Sequence, residues 1–539
     1  MSINLSRRDL LALPAGAASL AGAMGRSSAQ AQANAPSASG IHLILDRQSV
    51  DAAEGVEFQL HQAAKHPQNP VLIPGMPHEW DGLQVNWGSE VIYDKTSKVF
   101  RCWYPGLDAV QYDPKVYPER KGFGNWLGRL WMIGYAESKD GVYWEKPALD
   151  QYTHRGAPTN VIKTDYEQQG TGIGWDHFSP ISCVWLNPVA TSPEEKYLGL
   201  ATEIGSDAEG NRTFKLFRKV VYSSPDGKRW KRGRMLYDAP STSDTVPAPN
   251  VFDINQVICE PNHPNPNLRV KAYGQTDRPI HKGRGNRGIG VVHGPDLFGL
   301  RYEDLRVVME ADSAIEDEIH WNKITKLENG YYLMIHDSSH FDYSGQTAPT
   351  ADQRLAISSD GIQFRRIHPQ TAMIPRGTKA MFDANMLVSS SIVEFGDQVH
   401  FYYHGTPVIW RPWPRTPAGA PKNIRASTIY PTFMGLATVP RDQFAFATPV
   451  MGKTGTVTTL PVEISGGKGV WINADAAPNE LQLGLIAPDG REVMQGRLGT
   501  ERRMTVYRDA RWNEQASPGQ YRVRVTLRGR SRLYSVAAL

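Results

Sequence analysis

Through most of the chain, apolar and polar positions alternate in short runs that end in Gly, Pro, Asn or Asp. A period of two is that of a half-buried strand, and long helical periodicities are scarce. Three of these runs, "WMIGYAES", "KLFRKVVYSS" and "QRLAISS", lead into one shared phrase. It holds a Ser, an Asp-Gly pair and an aromatic three residues after the Gly: Ser138, Asp140, Gly141 and Trp144; Asp226, Gly227 and Trp230 after "YSS"; Ser358, Asp360, Gly361 and Phe364. Asp-Gly predicts a tight turn, because Gly tolerates positive φ and the carboxylate accepts from nearby N–H groups. With a degenerate copy at Asp296, the spacings are about 86, 70 and 64 residues. Repeats of strands and turns at such periods predict a propeller with long loops.

A second phrase precedes each copy. Asp176 ("GWDHFSPISCVWLNP"), Asp253 ("NVFDINQVICEPN"), Asp317 ("IEDEIHWNKITKLENG") and Asp383 ("MFDANMLVSSSIVEFGD") each stand just before an apolar strand, a turn and a second strand. "HEWDGLQVNWGSEVIYD", with Glu79 and Asp81, supplies a fifth unit. The expected architecture is all-β: a five-bladed β-propeller over 34–450, then a small β-sandwich over 451–539. The sandwich shows as short alternating strands with a hairpin at Asp489-Gly490.

Composition changes this picture little. The net charge of +4 is too balanced for a nucleic-acid groove, and part of it sits in Arg7, Arg8 and Arg26. "SRRDLLALPAGAASLAGAMG", followed by "AQAQANA", reads as a twin-arginine signal peptide over 1–33. The expected partner in export is the twin-arginine translocase, and the expected location is periplasmic or secreted, with no membrane contact after signal removal. Cys102, Cys183 and Cys259 cannot all pair within one chain and lack Cys-x-x-Cys spacing, so buried free thiols are expected rather than zinc. No cofactor is expected.

The blade plan turns these positions into candidate chemistry. Starts of innermost strands converge at one end of a propeller's channel. Glu79 or Asp81, Asp176, Asp253, Asp317 or Glu318, and Asp383 would then ring one cavity. Crowded carboxylates repel, raising some pKa values so that one acid stays protonated beside an ionised neighbour. His177, Asn255, His320 and Asn385 stand close by, and Trp87, Trp175, Trp321 and Trp410 are candidates to stack on a ligand. A lone Asp before a strand is more often a turn cap, a lone Trp as often core; Asp226 and its Asp-Gly counterparts belong to hairpins. Recurrence at one blade position is what favours the ring.

The five-part plan, the carboxylate at each inner strand and the S-x-D-G-x-x-W phrase resemble the five-bladed-propeller glycoside hydrolases, the β-fructofuranosidases and the arabinofuranosidases and xylosidases. The resemblance spans roughly 42–450, although "NDPNG" is absent, "HEWDG" standing in its region. It implies hydrolysis of a glycosidic bond in a saccharide substrate, with one carboxyl as acid and another as base or nucleophile. On that resemblance Glu318 is the acid and Asp253 or Asp176 the base. Asp81 also competes for the base, and Glu79 for the acid or a sugar ligand. The substrate-binding set is Glu79, Asp81, His177, Asn255, Asp317, His320, Asp383 and Asn385. Two other readings stay open: a binding propeller without catalysis, holding a carbohydrate or a metal, and a phosphorylase using Arg278, Arg284 and Arg287 as a phosphate clamp.

Overall fold

The computed structural model describes residues 40–86, 88–107, 132–162, 175–206, 212–240, 253–277, 287–301, 304–319, 321–340, 350–407, 431–464, 469–477, 479–503, 506–515 and 517–538. Among them there is no α-helix, and no helix long and apolar enough to cross a membrane. The signal-like segment lies outside the described residues.

Antiparallel ladders group the strands into successive blades. Blade I is Glu90–Asp94, Val99–Leu107 and Met132–Ser138, with Glu145 bridging to Glu137 at its outer edge. Blade II runs through Trp175–Leu186, Tyr197–Ser206, Arg212–Ser224 and Lys231–Pro240. Blade III holds Asp253–Cys259, Val270–Asp277, Arg287–Gly294 and Arg306–Met309. Blade IV holds Asn322–Lys326, Tyr332–His340, Thr350–Ser358 and Arg365–Ile367. Blade V is Met386–Phe395, Gln398–Thr406 and Phe433–Pro440, and its outermost strand is Ala64–Lys65. The first strands neighbour one another in a closed ring, I to II to III to IV to V and back to I. The inner edges thus face one another around the axis, the radial arrangement by which a propeller keeps its edges short.

The repeated Asp-Gly phrase has a physical explanation. In each copy the Ser hydroxyl accepts from the Gly N–H and the Asp carboxylate accepts two further N–H groups, as in Gly141→Ser138 at 2.9 Å and Val142→Asp140 at 2.8 Å. The glycines sit at φ 77, 74 and 76. Each Gly carbonyl then accepts from an aromatic on the second strand of the preceding blade. Tyr402 Oη donates to Gly141 (3.0 Å), Trp103 Nε1 to Gly227 (2.6 Å) and Tyr273 Oη to Gly361 (2.8 Å). A Cβ at any of the three would fall within 2.8 Å of that aromatic. The phrase recurs because it ties blade to blade. In blade III Asp296 only caps the short turn Leu297–Gly299.

Strand pairing draws the domain boundary differently from the expected division at residue 450. Ile41–Leu43, Val50–Glu54 and Val56–Leu60, together with Ala445–Pro449, belong to a 12-stranded sheet with the C-terminal strands. Val50–Glu54 and Val56–Leu60 lie at opposite ends of that sheet's order and are joined through Gly55 at φ 61, so the sheet folds over itself into two layers. One layer continues into blades IV and V: Ile41, Leu43, Leu45, Tyr507 and Ala537 share a core with Leu333, Leu355 and Phe401. Polar contacts seal the join. Asp442 accepts from Asn329 Nδ2 (2.6 Å) and Tyr507 Oη (2.8 Å).

Candidate functional site

At the axis, Lys323 of blade IV reaches Glu90 of blade I at 2.7 Å and the Asn255 carbonyl of blade III at 2.8 Å. Ser391 of blade V donates to the other Glu90 oxygen at 3.1 Å. Burial pushes the Glu90 carboxyl up by more than Lys323 draws it back. This ion pair plugs the channel and divides it into two mouths. One is at the starts of the first strands, where the sequence placed its candidates. The other, at their ends, holds a cavity of about 410 Å³.

The starts of the first strands do not present a cluster of mutually repelling carboxylates. Asp81, Asp383, Glu316 and Glu318 are each held by a cation. Asp81, buried beneath the entry turn of blade I, accepts from Tyr104 Oη (2.9 Å) and Lys146 Nζ (2.6 Å). Asp383 of blade V repeats that arrangement with Tyr403 Oη (2.9 Å) and Lys65 Nζ (2.5 Å). Trp80 stacks on Tyr104, centroids 5.6 Å apart, as Phe382 does on Tyr403 at 6.0 Å. In both blades the carboxylate precedes the first strand, the phenol is on the second and the lysine comes from the outer edge, on the strand Ala64–Lys65 in blade V and next to the bridging Glu145 in blade I. Blade IV carries a variant in which Glu316 accepts from Ser338 Oγ (2.8 Å) and Arg366 (2.5 Å). Recurrence of an acid at the blade entry therefore has a structural cause in these blades: it clamps a blade from inner to outer edge.

Glu318 is placed differently. Its buried side chain meets Arg287 of blade III at 3.1 Å, so the pair spans the seam between blades III and IV. Ser339 N–H donates to the Glu318 carbonyl (3.0 Å) and Asp337 N–H to the Trp321 carbonyl (3.0 Å), which extends the first ladder of blade IV up to the mouth. Along the same seam Asn255 donates to Asn322 Oδ1 at 3.3 Å, and Asn322 lies opposite His336 in the ladder. Asn255 Oδ1, Asn322 Nδ2, Ser339 Oγ and both ring nitrogens of His336 are buried without a partner among the described residues. Burial depresses the His336 pKa to about 3, with Arg366 adding to it, so the ring is neutral. His336, Asp337 and Ser339 were not legible as candidates. They sit inside "YLMIHDSSH", where alternation signals only a strand.

The remaining candidates separate. Glu79 is exposed and its carboxylate accepts from Met76 N–H (2.5 Å), capping its own turn. Asp317 is half-buried, its N–H donating to Ser339. Asn385 is half-buried, its backbone pairing with Thr406 and Ala351. The backbones of Asp176, His177 and Asp253 begin the first strands of blades II and III, pairing with Ile204, Glu203 and Gln275. Their side chains, with that of Trp175, lie outside the described residues, as do His320, Trp87, Trp410, Arg278 and Arg284 altogether. Trp321 is buried. Cys102 and Cys183 are buried free thiols and Cys259 is a half-buried one. Among the described residues no group of His, Cys, Asp and Glu could hold a metal.

No family model and no curated protein matches the chain. Solved structures do. It is similar to a glycosyl hydrolase from Bacteroides ovatus, at 12% identity over 71% of this chain and 94% of that one, with a TM-score of 0.42. It is similar, at 12% identity, 71% and 94% coverage and a TM-score of 0.41, to a protein of a study of the GH130 family of mannoside phosphorylases, which "contains glycoside hydrolases that target beta-1,2 mannosidic linkages". A Bombyx mori GH32 β-fructofuranosidase in complex with sucrose matches at 11% identity over 89% and 93% of the two chains, TM-score 0.36. The propeller assignment rests on the strand pairing above, not on these likenesses.

Proposed function

We propose that the chain acts on a saccharide and hydrolyses a glycosidic bond at the mouth formed by the starts of the first strands, with Glu318 as general acid. The observation that carries this reading is the seam between blades III and IV. A fully buried Glu318, oriented by Arg287, adjoins a layer of polar atoms on Asn255, Asn322, Ser339 and His336 that have no partner among the described residues. Buried polar atoms without partners are costly, and a polyhydroxylated ligand supplies the donors and acceptors they lack. Asp253, two residues before Asn255, is the base or nucleophile of this reading, and Asp176 is its alternate. A second carboxyl is required because the leaving oxygen must gain a proton while the anomeric carbon gains a nucleophile.

The test is Glu318→Gln, assayed on natural oligosaccharides and on aryl glycosides with good leaving groups. Loss of roughly 10²–10⁴-fold on the former, and much less on the latter, supports the acid role. Equal loss on both would make Glu318 the ionised partner instead. Phosphorolysis is the weaker reading, since Arg287 is already engaged by Glu318. We further propose export through the twin-arginine route; replacing Arg7 and Arg8 by Lys should abolish delivery of folded protein, and an unchanged periplasmic yield would refute it.

A further inference from the structure

The second mouth of the channel has no part in the proposed reaction. Its cavity of about 410 Å³ falls within the range of ~300–1,000 Å³ typical of small-molecule sites. First strands of all five blades line it. Ile92, Leu186, Ile258 and Ile392 form its wall, each retaining exposed surface, and Gln256 and Thr325 interrupt that wall with polar groups. The rim carries Lys95, Lys326, Glu260, Glu328 and Glu394.

The charge arrangement at the rim selects a ligand class. Lys95 pairs with Glu328 at 2.6 Å, and Lys326 pairs with Glu260, whose other oxygen takes Lys271 at 2.7 Å. Glu394 faces Arg441 at 3.5 Å and accepts from Glu328 N–H at 2.7 Å. Each rim ammonium thus already sits against a carboxylate. A charged ligand would have to displace one partner of a pair and meet a like charge beside it. A neutral polyol meets ammonium donors and carboxylate acceptors together, and lays its C–H face on the aliphatic wall.

From this we infer that the cavity at the ends of the first strands is a second binding site, for a neutral, pyranose-sized saccharide. It differs in place and in lining from the proposed catalytic mouth, and the two are separated by the Glu90–Lys323 plug.

Cys259 lines the cavity and is half-buried, whereas Cys102 and Cys183 are wholly enclosed, so one thiol reports on occupancy. Burial pushes its pKa up to about 11, so labelling is slow and is followed as a rate at mildly acidic pH, where glucosamine keeps its ammonium and glucuronate its carboxylate. The experiment measures N-ethylmaleimide alkylation of Cys259 in the full chain by mass spectrometry, with D-glucose, D-mannose, D-glucosamine or D-glucuronate present. The neutral sugars should block labelling in a saturable way and the charged ones should not. Lys326→Met, at an exposed position, should raise the half-protecting concentration about tenfold, the loss of one charged hydrogen bond, while turnover at the other mouth is unchanged. Ile392→Trp, which fills the wall, should abolish sugar binding in calorimetry. Absence of protection by either neutral sugar overturns the site. Stronger protection by glucosamine or glucuronate overturns the ligand class. Protection that survives both substitutions places the sugar elsewhere. None of these outcomes depends on which carboxylate performs hydrolysis.

Discussion

Lys65 meets Asp383 at 2.5 Å across 318 residues of sequence, and the bond joins the outermost strand of blade V to its entry. Because Ala64–Lys65 comes from the start of the propeller and the rest of blade V from its end, this contact closes the ring. Asp383 is fully buried and Lys65 only slightly exposed. Removing the cation from a buried pair leaves an uncompensated charge, a loss of about 3–5 kcal/mol. Lys65→Ala should therefore lower the urea midpoint sharply, and Lys65→Ala with Asp383→Asn should recover part of that loss. A double variant no better than the single would show that the pair is not the source.

Gly141 and Gly156 separate two costs of a side chain. Both have positive φ, at 77 and 83. At Gly141 a Cβ would stand 2.3 Å from Tyr402 Oη, whereas at Gly156 nothing lies within 4 Å. Gly156→Ala should cost about 1–2 kcal/mol from backbone strain alone. Gly141→Ala should cost clearly more, since it also breaks the tie between blades I and V. Equal unfolding midpoints for the two would refute the inter-blade role of the phrase.

Acid stability should depend on buried histidines. Burial lowers His336 and His404 to about 3, while an unfolded histidine titrates near 6.5. Below pH 6.5 the unfolded chain binds protons that the folded one refuses. The stability these rings provide is complete above that pH and is lost as pH falls towards 3. His336→Gln should flatten this limb, measured as unfolding midpoint against pH.

Glu394 has the opposite sign. Burial raises its carboxyl to about 7, against the downward pull of Glu328 N–H and Arg441, with Glu328 and Asp442 adding to the rise. Between the ordinary glutamate range and pH 7 the folded chain holds a proton that the unfolded chain has released, so stability falls as pH rises through this window. Glu394→Gln should remove that slope. A persistent slope in the variant would assign the effect to another group.

Period-two alternation and the Asp-Gly turns were enough to read strands, turns and repeat order, because each depends on neighbours in sequence. The membership of Val56–Leu60 was not readable: a half-buried strand alternates in the same way whichever sheet receives it, and its partner Ala445–Pro449 is far along the chain. The acids at 81 and 383 were legible as recurrent but not as clamped, since Lys146 and Lys65 stand 65 and 318 residues away in stretches with no signal of their own. His336 and Asp337 were hidden for a related reason. Their place at the blade seam follows from the ladder to Asn322 and Trp321, which alternation alone does not reveal.

The pairing of Ile41–Leu43 with Arg532–Ala538 sets a condition on synthesis. A ribosome releases the first of these strands long before the second, because most of the propeller and sandwich lies between them in sequence. Until the second has emerged, Ile41–Leu43 has ladder groups with nothing to bond, and it is open to association with other chains. The closing strand serves several sites at once, since it also pairs with Val470–Asp475 and with Ala447. A chain that stops before Arg532–Ala538 would therefore leave Ile41–Leu43 and Val470–Asp475 without that partner, so that proteolysis can sort chains that lack this strand from chains that carry it.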